Sequence, residues 1–307
     1  MALRALVPTD QLADAVRGPG ITPILWSLDD SPEEAPEAEA LITERPRDPQ
    51  QRSRLAQIPG LRHVHLLSIG HEWIWDHLPD GVSVSNSRGA VEDATAELAL
   101  TLALASIRRL PVALEQQRER TWSPVWTDSL HGADALILGH GGVGREIIAR
   151  LEPFRPRRII RVASRARTEG PGPAVHGVDE LPALVGQADV VFVAVPDTPA
   201  TVGLVDAELL AGMREGALLV NVGRGKVVDT TALLRELERG RIRAALDVVD
   251  PEPLPADHPL WSAPNCLLTP HMAGNTHQFV RIATEIAVDQ LQRLAEGRDP
   301  VNLVRGA

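Results

Sequence analysis

The chain has 307 residues, 44% of them hydrophobic and 23% charged, with a formal net charge of −10. This is a globular composition with room for two domains of ordinary size, which excludes intrinsic disorder. The acidic balance excludes a protein that coats nucleic acid or an anionic membrane through a general basic field.

The single cysteine, Cys266, can form no internal disulfide, and the start, MALRALVPTDQ, holds no apolar stretch of signal-peptide length. The most apolar helical run, Leu98 to Ile107, is about half the length that crosses a bilayer. A soluble protein of a reducing cytoplasm is expected.

Up to residue 90, short apolar runs at Ala5–Val7, Thr22–Trp26, Ala40–Ile42, His63–Leu67 and Val82–Val84 alternate with Pro, Gly and acidic segments. They predict five strands with intervening helices in a small α/β unit. The acidic SPEEAPEAE, Ser31 to Glu39, reads as a solvated loop or helix face rather than a site. Val91–Leu110 has no Gly or Pro and is rich in Ala and Leu, so it predicts one long, largely buried helix. Strand-like runs then recur at Ala135–Leu138, Ile159–Ala163, Val190–Val195, Ala217–Val222, Ala244–Val248 and Cys266–Thr269, with helical patterns between most of them. That alternation predicts a doubly wound parallel sheet with ligands at the carboxyl ends of its strands. A last helical pattern, Thr276–Glu296, is long enough to return the chain to its first domain.

Between the first of these later strands and the helical pattern Arg145–Leu151 stands GHGGVG, Gly139 to Gly144, which fits G-x-G-x-x-G. Gly139 would make the tight turn, Gly141 would let the backbone approach a pyrophosphate, and Gly144 would let helix pack on strand. Gly142 and Val143 complete the turn. An acidic residue normally ends the next strand, where it holds the adenosine ribose. RVASRART, Arg161 to Thr168, offers Ser164 and Arg165 instead. A serine leaves room for a 2′-phosphate and an arginine offers it a fork of donors, so NADP(H) is the expected cofactor, with NAD(H) possible. The bland reading is that these arginines belong to the chain's general excess, thirty against the single Lys226.

Three further strand ends carry chemistry. Arg224 stands between two glycines in NVGRGKVVD, Asp247 and Glu252 lie in LDVVDPEPLP, and His271 lies in TPHMAGNT. A guanidinium, a carboxylate and an imidazole converging on one nicotinamide suffice for hydride transfer to a 2-keto acid. The arginine would bind the carboxylate, the histidine would donate the proton, and Glu252 would orient the imidazole.

With LSIGHEWI (67–74), VSNSRGAVEDATAELAL (84–100), VPDTPATVGLVD (195–206), NVGRGKVVD (221–229), ALDVVDPEPLP (245–255) and TPHMAGNT (269–276) in this order, the chain resembles the D-isomer-specific 2-hydroxyacid dehydrogenase family over nearly its whole length. The resemblance implies a flavodoxin-like substrate domain, residues 1–93 completed by 284–307, and a Rossmann dinucleotide-binding domain, residues 94–283. It implies Arg224, Glu252 and His271 as the catalytic trio and the Ser68, Ile69, Gly70 and His71 loop as a second clamp on the substrate carboxylate. It also places Asp247 near the nicotinamide amide and Pro196, Thr201, Val222 and Gly274 along the cofactor groove. The implied reaction is NAD(P)-dependent interconversion of a small 2-keto acid and its D-2-hydroxy acid, in the reductase direction. Trp122 and Trp126 fall where the family has an arm that meets a second subunit, and bulky indoles in a loop fit an interface core, so a homodimer is expected.

Two alternatives stay open at this level. One is a dinucleotide-sensing, co-repressor-like binding protein; the other is a dehydrogenase of the same fold for another small anion, such as formate or phosphite, although Gln typically replaces Glu252 in the formate enzymes. The spacing of six between His65, His71 and His77 resembles no compact metal site. Trp73, just behind the Ser68–His71 loop, is either core or a wall of the substrate pocket.

Overall fold

A computed structural model describes residues 2–29, 34–71, 73–168 and 173–305. The first three residues of the acidic segment 31–39 lie outside the described residues. The chain divides into two compact units, residues 1–91 with 275–307, and residues 92–274. The divisions were expected at 93/94 and 283/284.

The chain opens with β1 (Leu3–Val7), α1 (Asp10–Val16), β2 (Ile21–Leu25), β3 (Ala40–Thr43), β4 (His63–Leu66) and β5 (Ser83–Asn86). The second unit follows with α2 (Glu92–Ile107), α3 (Leu110–Glu119), β6 (Asp134–Leu138), α4 (Gly142–Leu151), β7 (Arg158–Ala163), β8 (Arg167–Thr168), β9 (Ala174–Gly177), α5 (Leu181–Val185), β10 (Val190–Val193), α6 (Ala207–Gly212), β11 (Leu218–Asn221), α7 (Thr230–Glu238), β12 (Arg243–Leu246) and β13 (Cys266–Leu268). The chain ends, back in the first unit, with α8 (His277–Ala295) and β14 (Leu303–Arg305).

In the first unit the strand order is β14-β5-β4-β3-β1-β2. The five expected strands are parallel in the flavodoxin-like order, and β14 adds an antiparallel edge on β5. Its three residues are too few to show a strand period in sequence. Alternate residues of each strand serve opposite faces. Leu6, Leu41, Val64 and Leu66 enter one cluster, and Ala5, Val7, Ala40 and Ile42 enter another with Ala287 and Leu291 of α8. Thr276 caps α8, its hydroxyl accepting from Phe279 N–H at 3.0 Å.

The second unit is an eight-stranded sheet in the order β13-β12-β11-β10-β6-β7-β9-β8, parallel except for β8 on β9. Ile137, Phe192 and Val220 pack towards α2, while Leu136, Val191 and Leu219 pack on the other face. Both faces are covered, which is why these strands read as unbroken apolar runs. The order turns back at β6 and β10, and their carboxyl ends form the switch point where a doubly wound sheet binds ligands.

The single helix expected over Val91–Leu110 ends at Ile107. Arg109 adopts a left-handed φ of 53°, and a second helix starts at once with Pro111 in its first turn, where a missing N–H costs nothing. No residue of α3 is buried. The chain then runs without helix or strand through Trp122 and Trp126, which are 97% and 100% exposed. Among the described residues no helix is long and apolar enough to cross a membrane.

Candidate active site

Three carboxyl ends of the second sheet build one cluster of turns. After β11, the Asn221 side chain accepts from Gly223 N–H at 3.0 Å and donates to Arg224 O at 3.1 Å, folding the chain tightly around Arg224. A Cβ on Gly225 would stand 1.8 Å from Val249 O, so only glycine lets this turn reach the loop after β12. Arg224 is half-buried, and its Nη1 donates to Gly223 O at 2.8 Å.

After β12 comes Asp247, buried at 2% exposure. Its carboxylate accepts from Thr269 Oγ1 at 2.6 Å, Met272 N–H at 2.9 Å and Ala273 N–H at 3.0 Å, and its carbonyl accepts from His271 N–H at 2.8 Å. Expected beside the nicotinamide amide, this side chain is occupied in holding the turn after β13. That turn lifts His271 into a left-handed conformation, φ 49°, which non-glycine residues adopt only when their surroundings enforce it. His271 Nδ1 is hydrogen-bonded to Glu252 Oε1, and both side chains stay partly open to solvent. The Glu252 loop is tied down by Thr230 Oγ1 donating to Asp250 O at 2.9 Å and Trp261 Nε1 donating to Pro255 O at 2.8 Å.

The Ser68–His71 loop belongs to the first unit. Its carbonyls are tied back: Ser68 O accepts from Ser87 N–H at 3.1 Å, Ile69 O from Asn86 Nδ2 at 3.0 Å, and Gly70 O from Ser68 Oγ at 3.0 Å. Among the described residues no hydrogen bond leaves the backbone N–H of Ser68, Ile69, Gly70 or His71. A loop with bound carbonyls and free N–H groups is built to receive an anion.

The glycine turn meets the demands of a dinucleotide. Gly139 has φ 110°, and a Cβ there would lie 2.5 Å from Ala194 O; a Cβ on Gly144 would lie 1.8 Å from Gly139 O. A Cβ on Gly141 would meet nothing within 4 Å, which leaves open the place where a pyrophosphate approaches the amino end of α4. The model of the D-isomer specific 2-hydroxyacid dehydrogenase NAD-binding domain matches residues 100–273. The chain belongs to this dehydrogenase family. It is similar to human glyoxylate reductase/hydroxypyruvate reductase, 36% identical over 76% of this chain and 73% of that protein, and to glyoxylate reductase of Korarchaeum cryptofilum, 31% identical over 91% and 90%. Among solved structures it is similar to a D-isomer specific 2-hydroxyacid dehydrogenase from Xanthobacter autotrophicus Py2 in complex with NADPH and MES, with a TM-score of 0.82, 29% identity and coverage of 99% and 98%.

The dehydrogenase is thus an NAD(P)-dependent oxidoreductase, and its cradle of Gly139 to Gly144 fits the cofactor. Ser164 and Arg165 lie exposed directly after β7. Thr201 Oγ1 donates to Pro196 O at 2.6 Å and closes the loop after β10. Val222 is buried directly after β11, and Gly274, half-buried, ends the His271 turn.

Asn221, Thr269, Asn86 and Ser87 were not singled out in sequence. Asn at a strand end with Gly two residues on is an Asx-turn signal that would have found Asn221; Thr269 and Ser87 act through long-range contacts that leave no local mark. Behind Ser87 runs a buried chain. Paired across β4 and β5, Ser83 Oγ contacts His63 Nδ1 (2.7 Å), His63 Nε2 contacts Ser85 Oγ (2.8 Å), Ser85 Oγ contacts His65 Nδ1 (2.8 Å), and His65 Nε2 contacts Ser87 Oγ (3.2 Å). Its outer end reaches Arg62 O at 3.2 Å and its inner end Leu66 O at 2.9 Å. Burial lowers the histidines to about 4 for His63 and, helped by the charge of its neighbour, about 3 for His65.

Proposed function

We propose that this dehydrogenase reduces a small 2-keto acid to the D-2-hydroxy acid, preferring NADPH. The observation that carries the reading is the His271–Glu252 hydrogen bond between the loops after β13 and β12, with Arg224 following the next strand of the sheet, β11. The nicotinamide, when bound, supplies the hydride. Glu252 holds His271 at Nδ1, so Nε2 is the atom that hands a proton to the developing alkoxide. Arg224 binds the substrate carboxylate and polarises the carbonyl with its fork of donors. The free amides of the Ser68–His71 loop clamp the carboxylate, which makes the first unit the substrate domain and the second the dinucleotide domain.

Support for NADPH comes from the exposed Ser164 and Arg165 where an acid would otherwise repel a 2′-phosphate, and from the NADPH in the Xanthobacter relative. A homodimer built through α3 and the loop that follows it fits the wholly exposed Trp122 and Trp126, together with Leu110 and Leu114, which are also exposed. The decisive experiment is His271→Asn assayed with glyoxylate and hydroxypyruvate. Turnover should fall at least about 100-fold, the lower end of what a positioned acid contributes, with NADPH still binding. Near-normal turnover in the folded variant removes His271 from the role.

A further inference from the structure

We propose that Glu92 is a resident anion of the cofactor cradle: its carboxylate stands beside the place of the pyrophosphate, opposes it, and so keeps the dinucleotide releasable.

Helix α2 opens with two acidic residues, Glu92 and Asp93, as suits the positive end of a helix dipole. The fold gives them different partners on α4. Asp93 Oδ1 accepts from Arg150 Nη2 at 2.5 Å, and Arg150 also donates to Glu146, so Asp93 is committed to an ion-pair cluster at the last turn of α4. Glu92, half-buried, lies against the first residue of α4. A Cβ on Gly142 would stand 2.7 Å from Glu92 Cγ, 3.0 Å from Oε1 and 3.3 Å from Cδ. Glu92 thus fills the space that a side chain at position 142 would take. The G-x-G-x-x-G pattern leaves position 142 free, so the demand for glycine there comes from Glu92.

Among the described residues, Gly142, Val143 and Gly144 make no hydrogen bond through their N–H groups, and no side chain caps α4. These are the donors that the phosphates of a dinucleotide take. The positive end of α4 favours either anion alone, and the two together repel each other. NADPH and NADH share the pyrophosphate, so the repulsion lowers affinity for both and leaves the choice between them untouched. It also acts equally before and after hydride transfer. A dehydrogenase must release its spent dinucleotide in every turnover, and a fixed charge that destabilises the bound state shortens its stay.

The test is cofactor binding without substrate, read by calorimetry. In Glu92→Gln the Kd for NADPH and for NADH should each fall at least about fivefold, the scale of one charge removed from a partly exposed helix end. Stopped-flow release of NADP+ should slow in step. Glu92→Ser gives a second neutral variant and should tighten binding alike. Asp93→Asn removes the same charge one residue on, from a carboxylate taken up by Arg150, and should change either Kd by less than about twofold. Unchanged affinity in both Glu92 variants overturns the proposal, as does an equal gain in Asp93→Asn, which would mark a general charge effect. Weaker affinity overturns it too, since the carboxylate would then be accepting from a cofactor hydroxyl. The two Kd values should move together whichever cofactor the enzyme prefers, so failure of the NADPH reading leaves this test intact.

Discussion

Acidification should loosen the first unit through its two buried histidines. Among the described residues, the ring nitrogens of His63 and His65 are hydrogen-bonded to the hydroxyls of Ser83, Ser85 and Ser87, and burial holds the two rings at about 4 and about 3. In the unfolded chain each titrates near 6.5. Because the folded values are the lower ones, the unfolded state takes up protons first. Stability is therefore full above about pH 6.5 and falls as the pH drops, levelling off for each ring only below its folded value. At pH 5 an unfolded histidine is protonated to about 97%, a penalty of about 2 kcal/mol per ring and about 4 kcal/mol for the pair. Amide hydrogen exchange of β4 and β5, corrected for intrinsic rates, reads this opening free energy at pH 7 and pH 5 without requiring both units to unfold together. The control is His63→Gln/His65→Gln, which cannot titrate and should lose far less. If the control loses as much as the wild type, or if imidazole nitrogen shifts show either native ring charged at pH 5, the argument is wrong.

Three other outcomes are expected. Asp247→Ala removes the acceptor of three hydrogen bonds in the His271 turn, so turnover should fall at least about tenfold with NADPH affinity kept within a few-fold, measured by steady-state kinetics and cofactor titration. Ser164→Asp with Arg165→Ala should move the kcat/KM ratio of NADPH over NADH at least about tenfold towards NADH, compared at low ionic strength for one keto acid. Trp122→Ser with Trp126→Ser should shift sedimentation from dimer towards monomer, and a monomeric wild type ends the interface reading.

Much of this was legible because several levels of the sequence agree. The apolar runs of β6, β10, β11 and β12 are continuous since both faces of the sheet are covered, and the polar residues that follow them fall where a parallel sheet exposes its carboxyl ends. What stayed hidden depends on contacts remote in sequence. The break at Arg109 was invisible in an Ala- and Leu-rich run because propensity favours helix on both sides, and only Pro111 hinted at a new start. The two-residue β8 and three-residue β14 exist through their partners β9 and β5, not through any pattern of their own. Asp247 shows the same limit at the site. Its place at a strand end could be read, but its hold on Thr269, Met272 and Ala273 arises only once β12 and β13 are side by side.

The histidine–serine chain beneath the Ser68–His71 loop has an arithmetic of its own. Between Arg62 O and Leu66 O lie six contacts, joined by three hydroxyls and two imidazoles. With both rings neutral these five groups carry five protons, so one contact always goes without. Every proton on one side of that gap points one way along the chain, and every proton on the other side points the opposite way. The two longest contacts, both 3.2 Å, are the natural places for it, one at Arg62 O and the other between His65 and Ser87. In either case the four shorter contacts stay filled, and His63 and His65 carry their protons on the same kind of nitrogen, both Nε2 or both Nδ1. The rings thus change tautomer together, and the strand pair beneath Ser68 holds a single binary polarity rather than two independent histidines.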